Sequence, residues 1–234
     1  GGKLNWLDDE HLVIAYFAYP TGEVDINNSV VNPDEIKSWR DFLAPKWKGK
    51  ISINDPTTTG SGNAWFQAMG KYILDLDYMR SLAKQEPLLV RDLRLQAEWV
   101  ASGKYPLAIA HGSAVIPEFI RTGAPITEKF LAEGGYITAG FGAIGLVNKA
   151  PHPNATKVFV NWILSREGQT LISKLNGNQS ARVDVPTDFL STGMRREGVP
   201  YKDLRGEKFQ MEQAQMTDVA KEILIAWYKA QAYQ

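Results

Sequence analysis

The residues best suited to chemistry lie in one run, Asp55-Pro56-Thr57-Thr58-Thr59-Gly60-Ser61-Gly62-Asn63. It sits between the strand-like Lys50-Ile51-Ser52-Ile53 and a helix-spaced apolar set, Trp65, Phe66, Met69, Tyr72 and Ile73. The first turn of a helix offers amide N–H groups without intrahelical partners and the positive end of the helix dipole, so it stabilises an anion. Small residues let a ligand approach the backbone, and hydroxyls add donors. Thr59, Gly60, Ser61, Gly62 and Asn63 are therefore candidate contacts for a carboxylate, a phosphate or another acceptor-rich group. An ordinary capping loop has the same composition. No Lys follows the glycines, as a Walker A loop requires, and Trp65 stands where a dinucleotide fingerprint needs its third glycine.

Two further strand ends carry polar groups, and ligands of open α/β sheets sit beyond the carboxyl ends of strands. Arg91 and Asp92 close the strand Leu88–Val90, and His111-Gly112-Ser113 closes Leu107–Ala110. Arg91 can hold an acidic ligand by charge-assisted hydrogen bonds, or form a surface ion pair with Asp92 or Glu98. His111 is a ligand contact, a cap or a core histidine, and Ser113 lies beside it. Catalytic constellations are missing. The three histidines, His11, His111 and His152, fall in unrelated contexts and none sits in an HExxH pattern. Gly177-Asn178-Gln179-Ser180 lacks the spacing of a nucleophile elbow, and Asp75-Leu76-Asp77 is too short for a calcium loop. Neither a cofactor nor a metal-ligand set is read here.

The elements that must position these residues alternate between strand and helix. Leu12–Ala18 reads as a buried strand and Val24–Val31 as a second extended piece. Asn32-Pro33 starts a helix, with Asn32 as N-cap. Leu93, Ala97, Val100 and Ala101 mark one helix face, and Val115, Ile116, Phe119 and Ile120 another. Phe141–Val147 is apolar and Gly-rich, Ala150-Pro151-His152-Pro153 starts a helix carrying Val158, Phe159, Trp162 and Ile163, and another helix covers Glu167–Leu175, ended by Asn176-Gly177. Ser191–Gly206 is polar and irregular; Met216, Val219, Ala220, Ile223, Leu224 and Trp227 then space out a long amphipathic helix. Strands alternating with helices predict an α/β fold with a largely parallel or mixed sheet. Lys+Arg and Asp+Glu both number 26, so the formal net charge of zero argues against a nucleic-acid or polybasic membrane-surface binder. The absence of cysteine excludes a disulfide framework, thiol catalysis and Cys-ligated zinc. No apolar run has the length of a membrane span, and no charged-then-apolar leader opens the chain.

Several blocks resemble the bacterial extracellular solute-binding proteins of ABC importers, in the branch around the ferric-iron binders. They are Ser38–Ile51, Asp55-Pro56 with its Thr/Gly/Ser loop, Ala101–Ala110, Gly123-Ala124-Pro125, Ala150–Ala155, Asn161–Gln169 and Ser180–Val185, in the family's order. The resemblance implies a type II periplasmic-binding-protein-like two-lobed fold, with mixed sheets flanked by helices and an interlobe cleft closed by hinge motion. Residues 19–140 plus 207–234 are expected to form the second lobe, and 1–18 with 141–206 the hinge strands and a remnant of the first. The chain opens near the hinge, so the upstream part of lobe one and the export signal are expected to be absent from it. In relatives that bind iron with a bridging anion, the positions of Ser61, Gly62 and Asn63 supply backbone N–H groups to that anion. Those relatives carry adjacent tyrosines where this chain has His111, Gly112, Ser113 and Ala114, which argues against a ferric site of that type. Arg182 falls in a block that lies near the cleft in relatives.

The reading that follows is a monomeric periplasmic or extracellular binding protein. It captures a small anionic or polar organic solute and delivers it to a membrane permease, with no cofactor, no nucleic-acid partner and no chemistry. The alternative is an α/β enzyme acting on a phosphorylated or carboxylated substrate with the same loop, for which His111 is the one nearby acid or base. A ligand-sensing regulatory domain is a third reading, without an attached DNA-binding segment.

Overall fold

The structure is a computed structural model that describes residues 4, 6–111, 115–140, 142–190 and 194–231. In chain order the elements are β1 (Val13–Ala15), β2 (Tyr19–Thr21), β3 (Val24–Asn27), β4 (Ile51–Asn54), α1 (Ser61–Gln67) with a π-helical continuation over Ala68–Ile73, α2 (Leu76–Ala83), β5 (Leu88–Val90) and α3 (Leu93–Ser102). They continue with β6 (Leu107–Ile109), α4 (Ile116–Arg121), β7 (Ile126–Lys129), β8 (Gly135–Thr138), β9 (Ala143–Gly145), α5 (Pro153–Ile163), α6 (Arg166–Asn176), β10 (Tyr201–Asp203) and α7 (Glu207–Gln231). Short 3-10 turns fill Pro33–Glu35, Trp39–Leu43 and Pro45–Trp47. The chain divides into a larger unit, Gly22–Gly135 with Met211–Gln234, and a smaller one, Gly1–Thr21 with Tyr136–Gln210.

The larger unit is built on a five-stranded mixed sheet of order β5-β4-β6-β3-β7. β5, β4 and β6 run parallel, whereas β3 is antiparallel to both β6 and β7. Every residue of β3, β4 and β6 is buried, the polar Asp25, Asn27, Ser52 and Asn54 included. α3 is tied to the sheet through buried amides. Gln96 Nε2 donates to Ile109 O at 2.9 Å, and Asn27 Nδ2 donates to the Val100 and Ala101 carbonyls near the C-terminal end of α3. Asp92 caps the N-terminus of α3 and Gly103, at φ 76°, closes its C-terminus. Trp39 and Trp65 pack edge to face at 5.3 Å, and Tyr78 Oη donates to Trp39 O.

The smaller unit holds two small sheets, β1-β9 and β10-β8-β2, and the helix pair α5–α6. Here the structure corrects two sequence expectations. The Leu12–Ala18 run is not one strand, because the chain changes partners along it. Val13–Ala15 pairs with β9, Phe17 bridges Ser180, and Tyr19–Thr21 pairs with β8. The polar Ser191–Gly206 stretch contains β10, and the amide of Leu204 just after it donates to Ile137 O. β7 and β8 were not anticipated either: Ile126-Thr127-Glu128-Lys129 is too polar to read as a strand until β3 pairs with it. Val24–Val31 narrows to β3 and then turns.

Candidate functional site

Strand direction places the charged groups of the larger unit. Ile53 is opposite Ile109 in the parallel β4–β6 pair, and Asn54 opposite Val90 in β4–β5, so Asp55, Arg91 and His111 all follow carboxyl ends at one sheet edge. β3 runs the other way, with Val24 opposite Ile109, so Glu23 precedes β3 at that same edge. β7 returns Glu128 opposite Asp25. One edge therefore carries Arg91, the 55–63 loop, His111, Glu23 and Glu128 in spatial order, which is where ligands of such sheets bind.

The loop itself is tightly knit. Asp55 accepts from the Thr57 amide at 2.9 Å and the Thr57 hydroxyl at 2.6 Å, and from Arg91 Nε at 2.8 Å. Burial alone would raise the Asp55 carboxyl, but Thr57 and the Arg91 guanidinium hold it below its ordinary value. Arg91 thus pairs with Asp55 rather than with Asp92 or Glu98, for Asp92 is the α3 cap. Ser61 Oγ and the Gly62 amide both donate to Asn54 Oδ1 at 3.0 Å, and Asn63 Nδ2 donates to Pro56 O and to Thr217 Oγ1. Gly62 has a structural reason for lacking a side chain: a Cβ there would lie 2.0 Å from Asn54 O. The close approach that Gly62 permits is thus to the chain's own β4 end, and Asn54 takes donors the sequence reading assigned to a ligand. Thr59 and Gly60 remain exposed at the tip, Gly60 at φ 153°.

His111 is a core histidine, 3% exposed, and follows Ala110, which takes the left-handed φ of 59°. Its Nδ1 forms an ion pair with Asp25 Oδ2, a carboxylate that is fully buried. Burial works against the imidazolium, but Asp25, with Glu23 and Glu128 nearby, outweighs it and raises His111 to about 9. Donor atoms of Glu23, His111 and Glu128 all lie within 4.8 Å of one another, and both glutamates are half-buried. Sequence reasoning missed Glu23, Asp25 and Glu128. The available signal was Asp25 itself, an acid between the apolar Val24 and Ile26. Ser113 lies outside the described residues. Arg182 is in the smaller unit, bidentate to Asp184 through Nε and Nη2 and donating from Nη1 to Leu164 O.

Residues 15–175 match the family of bacterial extracellular solute-binding proteins. A protein of Haemophilus influenzae that carries no functional name is 26% identical over 147 residues, an alignment covering 59% of this chain and 40% of that protein. Among solved structures, iron-bound HitA from Pseudomonas aeruginosa superposes with a TM-score of 0.73 at 13% identity, covering 94% of this chain and 76% of its own. Trichodesmium IdiA (FutA), in complex with iron and citrate, gives 0.71 at 18%, covering 94% and 72%. The periplasmic binding protein AfuA from Actinobacillus pleuropneumoniae, with fructose-6-phosphate bound, gives 0.64 at 20%, covering 93% and 67%. The chain belongs to the bacterial extracellular solute-binding protein family.

Proposed function

We propose that this chain is the solute-capturing component of an ABC importer, acting in the periplasm or outside the cell as a monomer that hands its ligand to a membrane permease. The solute is a small anionic or polar organic molecule, engaged without covalent chemistry and without nucleic acid. Family membership supports the role, and one observation supports the place: the polar side chains that follow three adjacent strands, Asp55, Arg91 and His111, share one sheet edge with the exposed Thr59–Gly60 tip. The ligands named for IdiA and AfuA, citrate and fructose-6-phosphate, set the chemical range to test. Gly60, Ser61, Thr59 and Arg91 are the proposed contacts on one side and His111 on the other. Gly62 and Asn63 shape the loop from within, and Ser113 and Arg182 stay as secondary candidates.

A thermal melt against phosphate, sugar phosphates, di- and tricarboxylates, amino acids and polyamines tests this. A ligand at one hundred times its Kd adds about 2.7 kcal/mol of stability. Stabilisation by one acidic or polyhydroxylated class, diminished in Arg91→Leu, is expected. Turnover of any phosphorylated or carboxylated compound, abolished in His111→Ala, would replace the transport reading with the enzymatic one.

A further inference from the structure

The Glu23–His111–Glu128 cluster has a composition that solute capture does not require. Two carboxylates and an imidazole converge to within 4.8 Å at one end of a mixed sheet, Glu23 just before β3, His111 just after β6 and Glu128 within β7. Asp25 grips Nδ1 of the ring from the buried side. A carboxylate on one imidazole nitrogen fixes the ring and directs the other nitrogen to an ion, the arrangement that orients most metal-bound histidines. Both ring nitrogens of His111 are buried without a hydrogen-bond partner among the described residues, and Nε2 is the one that the Asp25 ion pair leaves available to an ion. Donors around a tetrahedral ion at about 2.1 Å stand about 3.4 Å apart, so side-chain adjustments of about an ångström would close the set on an ion. One nitrogen and two carboxylate oxygens leave a further position for water, and suit a borderline divalent ion better than calcium or magnesium, which favour all-oxygen shells.

We propose that Glu23, His111 and Glu128 form a binding site for a divalent first-row transition ion such as Zn²⁺, with Asp25 as the carboxylate that orients His111. The site shares His111 with the solute reading above but uses none of the loop residues. It also differs in kind from a phenolate site, because its donors are two carboxylates and an imidazole.

Isothermal titration of Zn²⁺ alone into the chelator-treated chain should show one saturable site. Glu128→Gln and Glu23→Gln, which keep side-chain shape on half-buried residues, should each weaken it tenfold or more, while His11→Ala and His152→Ala should leave it unchanged. The unmutated chain gives a second readout: on adding Co²⁺, the His111 imidazole resonances should broaden before those of His11 and His152. Absence of saturable binding, an unchanged Kd in both glutamine variants, or broadening of His11 or His152 first would each overturn the proposal. Because no solute is present in either experiment, failure here leaves the transport reading to its own test.

Discussion

The two units use similar helix–strand sequence patterns with opposite results. In the larger unit the apolar stripes are buried: Trp65, Phe66, Ala97, Val100 and the β4 and β6 strands are all 7% exposed or less. In the smaller unit α5 carries Val158, Phe159, Trp162 and Ile163 at the same helical spacing, yet only Ile163 is buried, and Val158 is 71% exposed. α6 likewise buries Gly168, Gln169 and Ser173 and exposes Leu175. Apolar periodicity predicts that a helix forms, but burial depends on what the fold sets against the stripe. The larger unit answers with a five-stranded sheet, and the smaller with sheets of two and three strands. Local stability should differ accordingly.

The strongest way to break this contrast uses two matched glycines. A Cβ at Gly62 would meet Asn54 O at 2.0 Å, and one at Gly168 would meet Trp162 O at 2.2 Å. Gly62→Ala should cost about 3 kcal/mol or more, because β4 and α1 are locked in a packed core. Gly168→Ala should cost less, since α5 and α6 can part with little apolar surface lost. Urea denaturation of both variants measures this; equal losses would refute the difference in packing.

Truncated aromatics sharpen it further. Phe66→Ala removes a side chain that is 3% exposed and should cost about 3–5 kcal/mol. Phe159→Ala removes one that is 51% exposed and should cost less than about 1 kcal/mol. Hydrogen exchange offers a variant-free version: amides of β4 and β6 should outlast those of α5. The order reversed would mean that the exposed α5 stripe is covered in solution.

The smallest effect lies at the loop. Asp55→Asn should destabilise by about 1 kcal/mol, since it weakens the Thr57 and Arg91 bonds, and Arg91→Leu by less, as the Arg91 side chain is 75% exposed. Asp55 titrates below its ordinary value of 3.8, so its contribution is present above that pH and is lost as pH falls through the lower folded value. Acid denaturation profiles of Asp55→Asn and the parent should therefore converge at low pH; a gap that widened with acid would contradict the pairing.

What the sequence made legible was local. Asn32 does cap a turn, its side chain accepting from the Asp34 amide, and Gly177 does close α6 in the left-handed region at φ 67°. The strand ends at Val90 and Ile109 were readable because continuous apolar runs stop abruptly at Arg91 and His111. What pairs across the sheet was not. Asp55 meets Arg91, and Asp25 meets His111, only through strand neighbours remote in sequence, and β7 is a strand because β3 lies beside it. The glycine loop shows the same limit from the other side. Its composition announced a ligand cradle, while the residue that fills much of that cradle, Asn54, belongs to the preceding strand.

The most direct test of the account is a solute titration followed by amide chemical shifts. Fructose-6-phosphate and citrate would be added in turn to the labelled, metal-free chain. The account predicts that one such polar anion shifts Thr59–Ser61, Arg91 and His111 together, with Kd values that agree across those residues. Binding whose shifts fall on Arg182 and the smaller unit alone, or no saturable shift with any member of the acidic and polyhydroxylated panel, would contradict it.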